Sequence, residues 1–204
     1  MPEQPAVAYF GESAKAKFPL LLFFGREYNN KMENEVRPKS LGPYSFLESP
    51  KSAFWNKTYG FIGRICALPD FKKICIRENK SPVLFSNMLP QPIPASMPEK
   101  RQQRQNKNSD DKIREHIEGI FETEVINRVR LVLLSDIRKP KFDLAAQLIE
   151  NKCKQRRIEV SVLPYLGCQG LKKEEMEYSL SEVARSIIKG TIAAFIDEDR
   201  GHTN

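Results

Sequence analysis

Three short stretches carry side chains suited to chemistry on a planar or anionic ligand. Gly25-Arg26-Glu27-Tyr28 follows directly on the apolar run Phe18–Phe24. A glycine there lets the backbone turn tightly and approach a ligand. A carboxylate can orient a water, and an arginine can pair with phosphate. The same residues also suit a plain strand-to-loop turn with a surface ion pair. Phe54-Trp55-Asn56 places two aromatics side by side, one of them the only tryptophan. A planar base can stack on either, or both can serve as core aromatics at a helix start. Ser86-Asn87 precedes a proline-rich stretch. A carboxamide offers one donor face and one acceptor face, which matches a pyrimidine edge, and it equally well caps a turn.

Charge gives these stretches a context. Lys and Arg number 33 and Asp and Glu 26, a formal net charge of +7 in 204 residues. That excess is compatible with an anionic partner without requiring one. Lys100, Arg101, Arg104 and Lys107 fall in one run without an apolar residue, and Lys152, Lys154, Arg156 and Arg157 form a second cluster. Both can contact phosphates or simply be solvated, and neither has the interleaved aromatics of a single-strand platform.

Several chemistries are disfavoured. No Walker-type Gly-Lys-Ser or Gly-Lys-Thr ending and no Gly-x-Gly-x-x-Gly occurs at Gly25. Cys66, Cys75, Cys153 and Cys168 form no Cys-x-x-Cys pair, which argues against a zinc ribbon or a simple redox pair and for buried thiols in a reducing compartment. The two histidines are His202, in a polar tail, and His116, read as an exposed helical residue. No metal or cofactor is expected. No apolar run approaches the ~20 residues of a membrane helix, and no secretory signal is expected. A cytoplasmic protein, nucleoid-associated if it repairs DNA in a prokaryote, is the expectation.

The elements that must position these residues alternate. Phe18–Phe24 reads as a strand buried on both faces, and Val83-Leu84-Phe85, Val129–Leu134 and Ile158–Leu163 read as three more. Between them, Phe54-Trp55 opens a helix carrying Tyr59, Ile62, Ile65 and Cys66 on one face. Asp110-Asp111 start another, with Ile113, Ile117, Ile120 and Phe121 inward. Phe142–Cys153 forms a helix with Leu144, Leu148 and Ile149 on one face. A closing helix after Ser179 carries Leu180, Val183, Ala184, Ile187, Ile188 and Phe195. Strands that are apolar in blocks and alternate with helices predict an α/β fold: a three-layer α/β/α sandwich around a mainly parallel sheet of about four strands. The expected organisation is an N-terminal extension over 1–17, a single domain over 18–197 with loops 26–53 and 88–110, and a flexible tail over 198–204. In such sheets ligands bind beyond the carboxyl ends of the strands, where Gly25-Arg26-Glu27-Tyr28-Asn29, Ser86-Asn87-Met88, Ser135-Asp136 and Pro164-Tyr165 fall.

From about Leu20 to Phe195, the order and spacing of these pieces resemble the uracil-DNA glycosylase superfamily. Leu22-Phe23-Phe24-Gly25-Arg26-Glu27-Tyr28-Asn29 stands at the family's water-positioning motif, with Glu27 at its polar position and Tyr28 where proline is usual. Ala53-Phe54-Trp55-Asn56-Lys57 is similar to the Phe-Trp element whose aromatic stacks on a flipped base. Val83-Leu84-Phe85-Ser86-Asn87-Met88 is similar to the strand whose asparagine reads the base edge. Val162-Leu163-Pro164-Tyr165 stands in the place of a His-Pro-Ser motif, with Leu163 at the histidine position. The resemblance implies hydrolysis of the N-glycosidic bond of a damaged or deaminated base in DNA. It makes Glu27 catalytic and Gly25, Tyr28, Phe54, Trp55, Ser86, Asn87, Pro164 and Tyr165 base-binding. Arg26, Lys100, Arg101, Arg104 and Lys107 would meet the DNA backbone. A relative that binds nucleic acid or a nucleobase without cutting it, and an unrelated α/β enzyme for a small nucleotide or phosphorylated ligand, are the alternatives. A monomer is expected.

Overall fold

The computed structural model describes residues 7–25, 42–43, 53–90, 109–135, 140–163 and 179–200. In chain order its elements are β1 (Ala8–Tyr9), β2 (Leu20–Gly25), β3 (Gly42–Pro43), α1 (Ala53–Ile65), α2 (Phe71–Arg77) and β4 (Val83–Asn87). They continue with α3 (Asp110–Glu122), a 3-10 turn (Glu124–Arg128), β5 (Val129–Ser135), α4 (Pro140–Arg156), β6 (Glu159–Leu163) and α5 (Glu182–Arg200). One sheet runs β3-β1-β4-β2-β5-β6. Its four longer strands, β4, β2, β5 and β6, are mutually parallel, and β1 adds antiparallel to β4. The expected α/β class and its four parallel strands are present. Two strands of two residues extend the sheet beyond the expected four.

β2 lies inside the sheet with all six residues buried, which is why its sequence is a continuous apolar block. β6 is the opposite case. It ends the sheet, and Val162 on it is 47% exposed. β5 is buried except at Arg130. There the pairing with β2 passes from Leu20↔Val129 to Leu21↔Leu131, so Arg130 is the extra residue of a β-bulge.

The helices follow their apolar stripes with two corrections. Ile113, Ile117, Ile120 and Phe121 of α3 are buried as expected. In α4 the fully buried positions are Ala145, Ile149 and Cys153, with Phe142 beside them. Leu144 and Leu148 only flank that face. In α5, Val183 is 57% exposed, whereas Ala184, Ile188, Ile192 and Phe195 carry the packing. A spacing of four, four and three residues selects the second set as one helical face. α5 packs on β2, β5, β6 and α1, while α3 and α4 pack on each other. An aromatic chain links these layers: Tyr59 stacks on Phe71 at 5.5 Å, and Phe71 and Phe18 both meet the Phe195 ring edge-on.

Residues 7–17 do more than cover the domain loosely. Val7 and Phe10 are core residues, and β1 pairs with β4. Gly11 passes so close to Asn79 that a Cβ would stand 2.0 Å from the Asn79 carbonyl oxygen. The Ser13 hydroxyl accepts from the Ser81 N–H at 2.7 Å and donates to the Phe10 carbonyl. Ser81 in turn lies 2.6 Å from the Tyr59 hydroxyl. Arg128 completes the attachment. Its guanidinium donates to the carbonyls of Ser13 at 3.0 Å, Ala14 at 2.9 Å, Phe18 at 3.5 Å and also Ala16. A planar fork with five donors suits this task, and an ammonium does not. Arg128→Ala is therefore expected to cost about 2–3 kcal/mol, because charge-assisted bonds are lost and partly buried carbonyls are left unpaired. The loss should read as a lower urea midpoint at unchanged slope, and Arg128→Lys should restore only part of it.

Candidate functional site

The chain visits the sheet in the order β2, β4, β5, yet β4 lies on one side of β2 and β5 on the other. A reversal of this kind opens a crevice beyond the carboxyl ends of the strands, the usual place for a ligand in parallel sheets. Gly25, Asn87, Ser135 and Leu163 terminate the four strands there.

Gly25 and Asn87 are partners in register, and the Met88 N–H continues the ladder by donating to the Gly25 carbonyl at 3.0 Å. A Cβ on Gly25 would stand 3.0 Å from Asn87 Oδ1. The carboxamide of Asn87 thus lies across the space that the glycine leaves open. Neither its donor nor its acceptor face has a hydrogen-bond partner among the described residues. Ser86, immediately before it, is buried. On the other side of β2, the buried Ser135 hydroxyl donates to the Phe24 carbonyl at 2.9 Å and ties the ends of β2 and β5 together. Leu163, in register with Ser135, brings only a buried aliphatic side chain.

His116 corrects the sequence reading. It is half-buried rather than exposed, and its Nε2–H donates to the Asn87 carbonyl at 2.9 Å. Burial pushes the imidazole below its ordinary pKa, and the hydrogen bond to Asn87 opposes that only in part. The ring is therefore neutral near pH 7, with Nε2 protonated and committed to the backbone of the asparagine. The signal was legible: His116 falls three residues after Ile113 and four before Ile120, on the buried stripe of α3.

Of the predicted site residues, Gly25, Ser86 and Asn87 come together at this edge. Phe54 and Trp55 stand in the first turn of α1, and their side chains lie outside the described residues. Arg26, Glu27, Tyr28, Lys100, Arg101, Arg104, Lys107, Pro164 and Tyr165 also lie outside them. Sequence reasoning missed His116, and it left Ser135 as a strand end without a role. Cys66, Cys75 and Cys153 are free thiols. Burial raises all three, Cys66 to about 11 and Cys153 to about 12, which makes them poor nucleophiles. Among the described residues, no group of three or more His, Cys, Asp or Glu could hold a metal ion. No helix among them is long and apolar enough to cross a membrane.

No family pattern, curated protein or solved structure matches the chain.

Two outcomes follow from this geometry. Gly25→Ala is expected to push the Asn87 carboxamide aside by a few tenths of an ångström. The side-chain amide resonances of Asn87 should shift while the melting temperature changes little. For His116, a pKa lowered by folding means that the unfolded chain binds the proton more readily. Its contribution is complete above the ordinary value of 6.5 and is lost as the pH falls through the lower folded value. Urea unfolding at pH 7.5, 6.5 and 5.5 should show a fall in stability that His116→Gln reduces.

Proposed function

We propose that the chain is a uracil-DNA glycosylase-like protein that takes a flipped base at the carboxyl edge of its sheet. The observation that carries this reading is the Asn87 carboxamide, without a partner among the described residues, laid over Gly25 and fixed through its own backbone by His116. A base must leave the duplex stack before its glycosidic bond can be reached, and the pocket must then read its edge. Asn87 offers an acceptor to a base N–H and a donor to a base carbonyl. His116 is a positioning residue here: its one described polar contact holds the asparagine backbone. In the same reading Phe54 supplies the stacking surface, and Tyr28, Trp55, Ser86, Pro164 and Tyr165 complete the pocket. Arg26, Lys100, Arg101, Arg104 and Lys107 meet phosphates. Glu27 orients a water whose oxygen bonds to the anomeric carbon as the carbon–nitrogen bond breaks. The base departs with the bonding electron pair and takes up a proton, leaving an abasic sugar.

The layering supports this architecture. The crossovers β4-α3-β5 and β5-α4-β6 run the same way along the sheet, and right-handed connections of that kind carry α3 and α4 on one face. The packing of α5 on α1 and of α3 on α4 agrees with a three-layer sandwich.

Leu163 favours a second reading, a family relative that binds without cutting. A buried leucine ends the strand where a histidine would stabilise charge on the departing base. One experiment separates the two. The protein is mixed with single- and double-stranded oligonucleotides carrying one uracil, and binding is followed alongside strand scission after alkali. Scission that Glu27→Gln abolishes and Asn87→Ala lowers about a hundredfold establishes the glycosylase. Binding without scission, weakened by Asn87→Ala, establishes the non-cutting relative. If the oligonucleotide is not bound at low salt, or Asn87→Ala changes nothing, both fall.

A further inference from the structure

The amino-end edge of the same sheet holds an open groove of about 660 Å³ between α5 and the starts of β5 and β6. Pro19, Ile158 and Ile187 give it an apolar floor, and Arg130, Lys154 and Arg157 line it with positive charge. None of these three cations has an ion-pair partner among the described residues.

The second basic cluster of the sequence divides at this point. Lys152 pairs with Glu118, and Arg156 donates to Asn127 at 3.1 Å, so both have structural partners. Lys154 and Arg157 instead face the groove.

Two irregularities of the backbone bring the arginines there. Arg130 is the extra residue of the β5 bulge, and it is the one exposed side chain of an otherwise buried strand. Bulges re-aim side chains and are uncommon in parallel pairs. Arg157 closes α4 with a positive φ of 56°. The Arg157 N–H bonds the Lys154 carbonyl and the Ile158 N–H bonds the Cys153 carbonyl, the paired contacts of a helix stop that ordinarily uses glycine. An arginine at such a position costs stability that a glycine would not. Thr191 also lines the groove, and its hydroxyl is buried without a partner among the described residues. Gly190 opens the floor, with nothing within 4 Å of where its Cβ would be.

We infer that this groove binds a nucleoside diphosphate. Arg130, Lys154 and Arg157 hold the phosphates, and the base lies on Pro19, Ile158 and Ile187. The Glu159 carboxylate, the one acid of the lining, accepts from a ribose hydroxyl. Three cations against one carboxylate suit a diphosphate, and the volume lies within the range of small-ligand sites. The groove stands at the opposite strand ends from Asn87, about 20 Å away along β5.

Calorimetric titration of the full chain with ADP, inorganic pyrophosphate and adenosine tests the assignment. ADP is expected to bind more tightly than pyrophosphate, and adenosine least. Arg157→Gly relaxes the helix stop and should raise the melting temperature while weakening ADP about tenfold. Gly190→Leu fills open space on a helix, so it should keep the fold while abolishing ADP binding. Asn87→Ala should leave ADP binding intact. The inference is overturned if the protein does not bind ADP, if pyrophosphate binds as tightly, or if both groove variants bind ADP unchanged. Loss of ADP binding in Asn87→Ala also overturns it, by moving the nucleotide to the other edge. So does binding of an oligothymidine, weakened by Arg157→Gly, in the absence of ADP binding, because the groove would then be a strand-backbone surface.

Discussion

Every residue of β2 is buried, so every backbone N–H and C=O in it needs a partner inside the protein. Parallel strands on both sides meet that requirement, β4 through five registered positions and β5 through five more. Much else depends on this constraint. It fixes Gly25 beside Asn87 and brings Ser135 to the carbonyl of Phe24. It also places the reversal of strand order at the point where these ends meet. The residues that could read a ligand are thus held by the most buried part of the sheet.

The same sheet presents two contrasting edges. At its carboxyl end the described groups are neutral: a carboxamide, a serine hydroxyl and an uncharged imidazole committed to a backbone carbonyl. At its amino end the groups are charged, and two of the arginines arrive through departures from regular backbone geometry. A net charge of +7 spread over 204 residues hides that contrast. Arg130, Lys154 and Arg157 bring three of the positive charges to the amino-end groove, at the opposite strand ends from Asn87.

Much of the fold was legible because blocks of apolar residues leave few options. Leu20–Phe24 and Leu131–Leu134 carry no polar residue and can only be strands covered on both faces. β1 and β3 were not legible, since two residues are too few to show a period. α2 was not anticipated although Asp70, a residue type that favours helix starts, precedes it; in the structure Asp70 makes no side-chain cap bond. Val183 and Leu144 were misjudged because an apolar residue just off the helical stripe looks the same in sequence as one on it. At the site, Gly25, Ser86 and Asn87 were found from their place after apolar runs. The burial of His116 could have been read from its place on the apolar stripe of α3, but not its partner, a backbone carbonyl 29 residues away.

The attachment of residues 13–18 to Arg128 also sets an order of events. Arg128 reaches back 112 residues to the carbonyl of Ala16, and Leu133 of β5 is the partner of Phe23. On a ribosome the Leu20–Phe24 run therefore emerges long before one of its two flanking strands exists. At roughly 5–20 residues per second the wait is about 5–20 seconds. During that time a β-prone segment without charge is available to other chains. The interior strand that gives the folded molecule its rigidity is thus the segment that most needs shielding while it is being made.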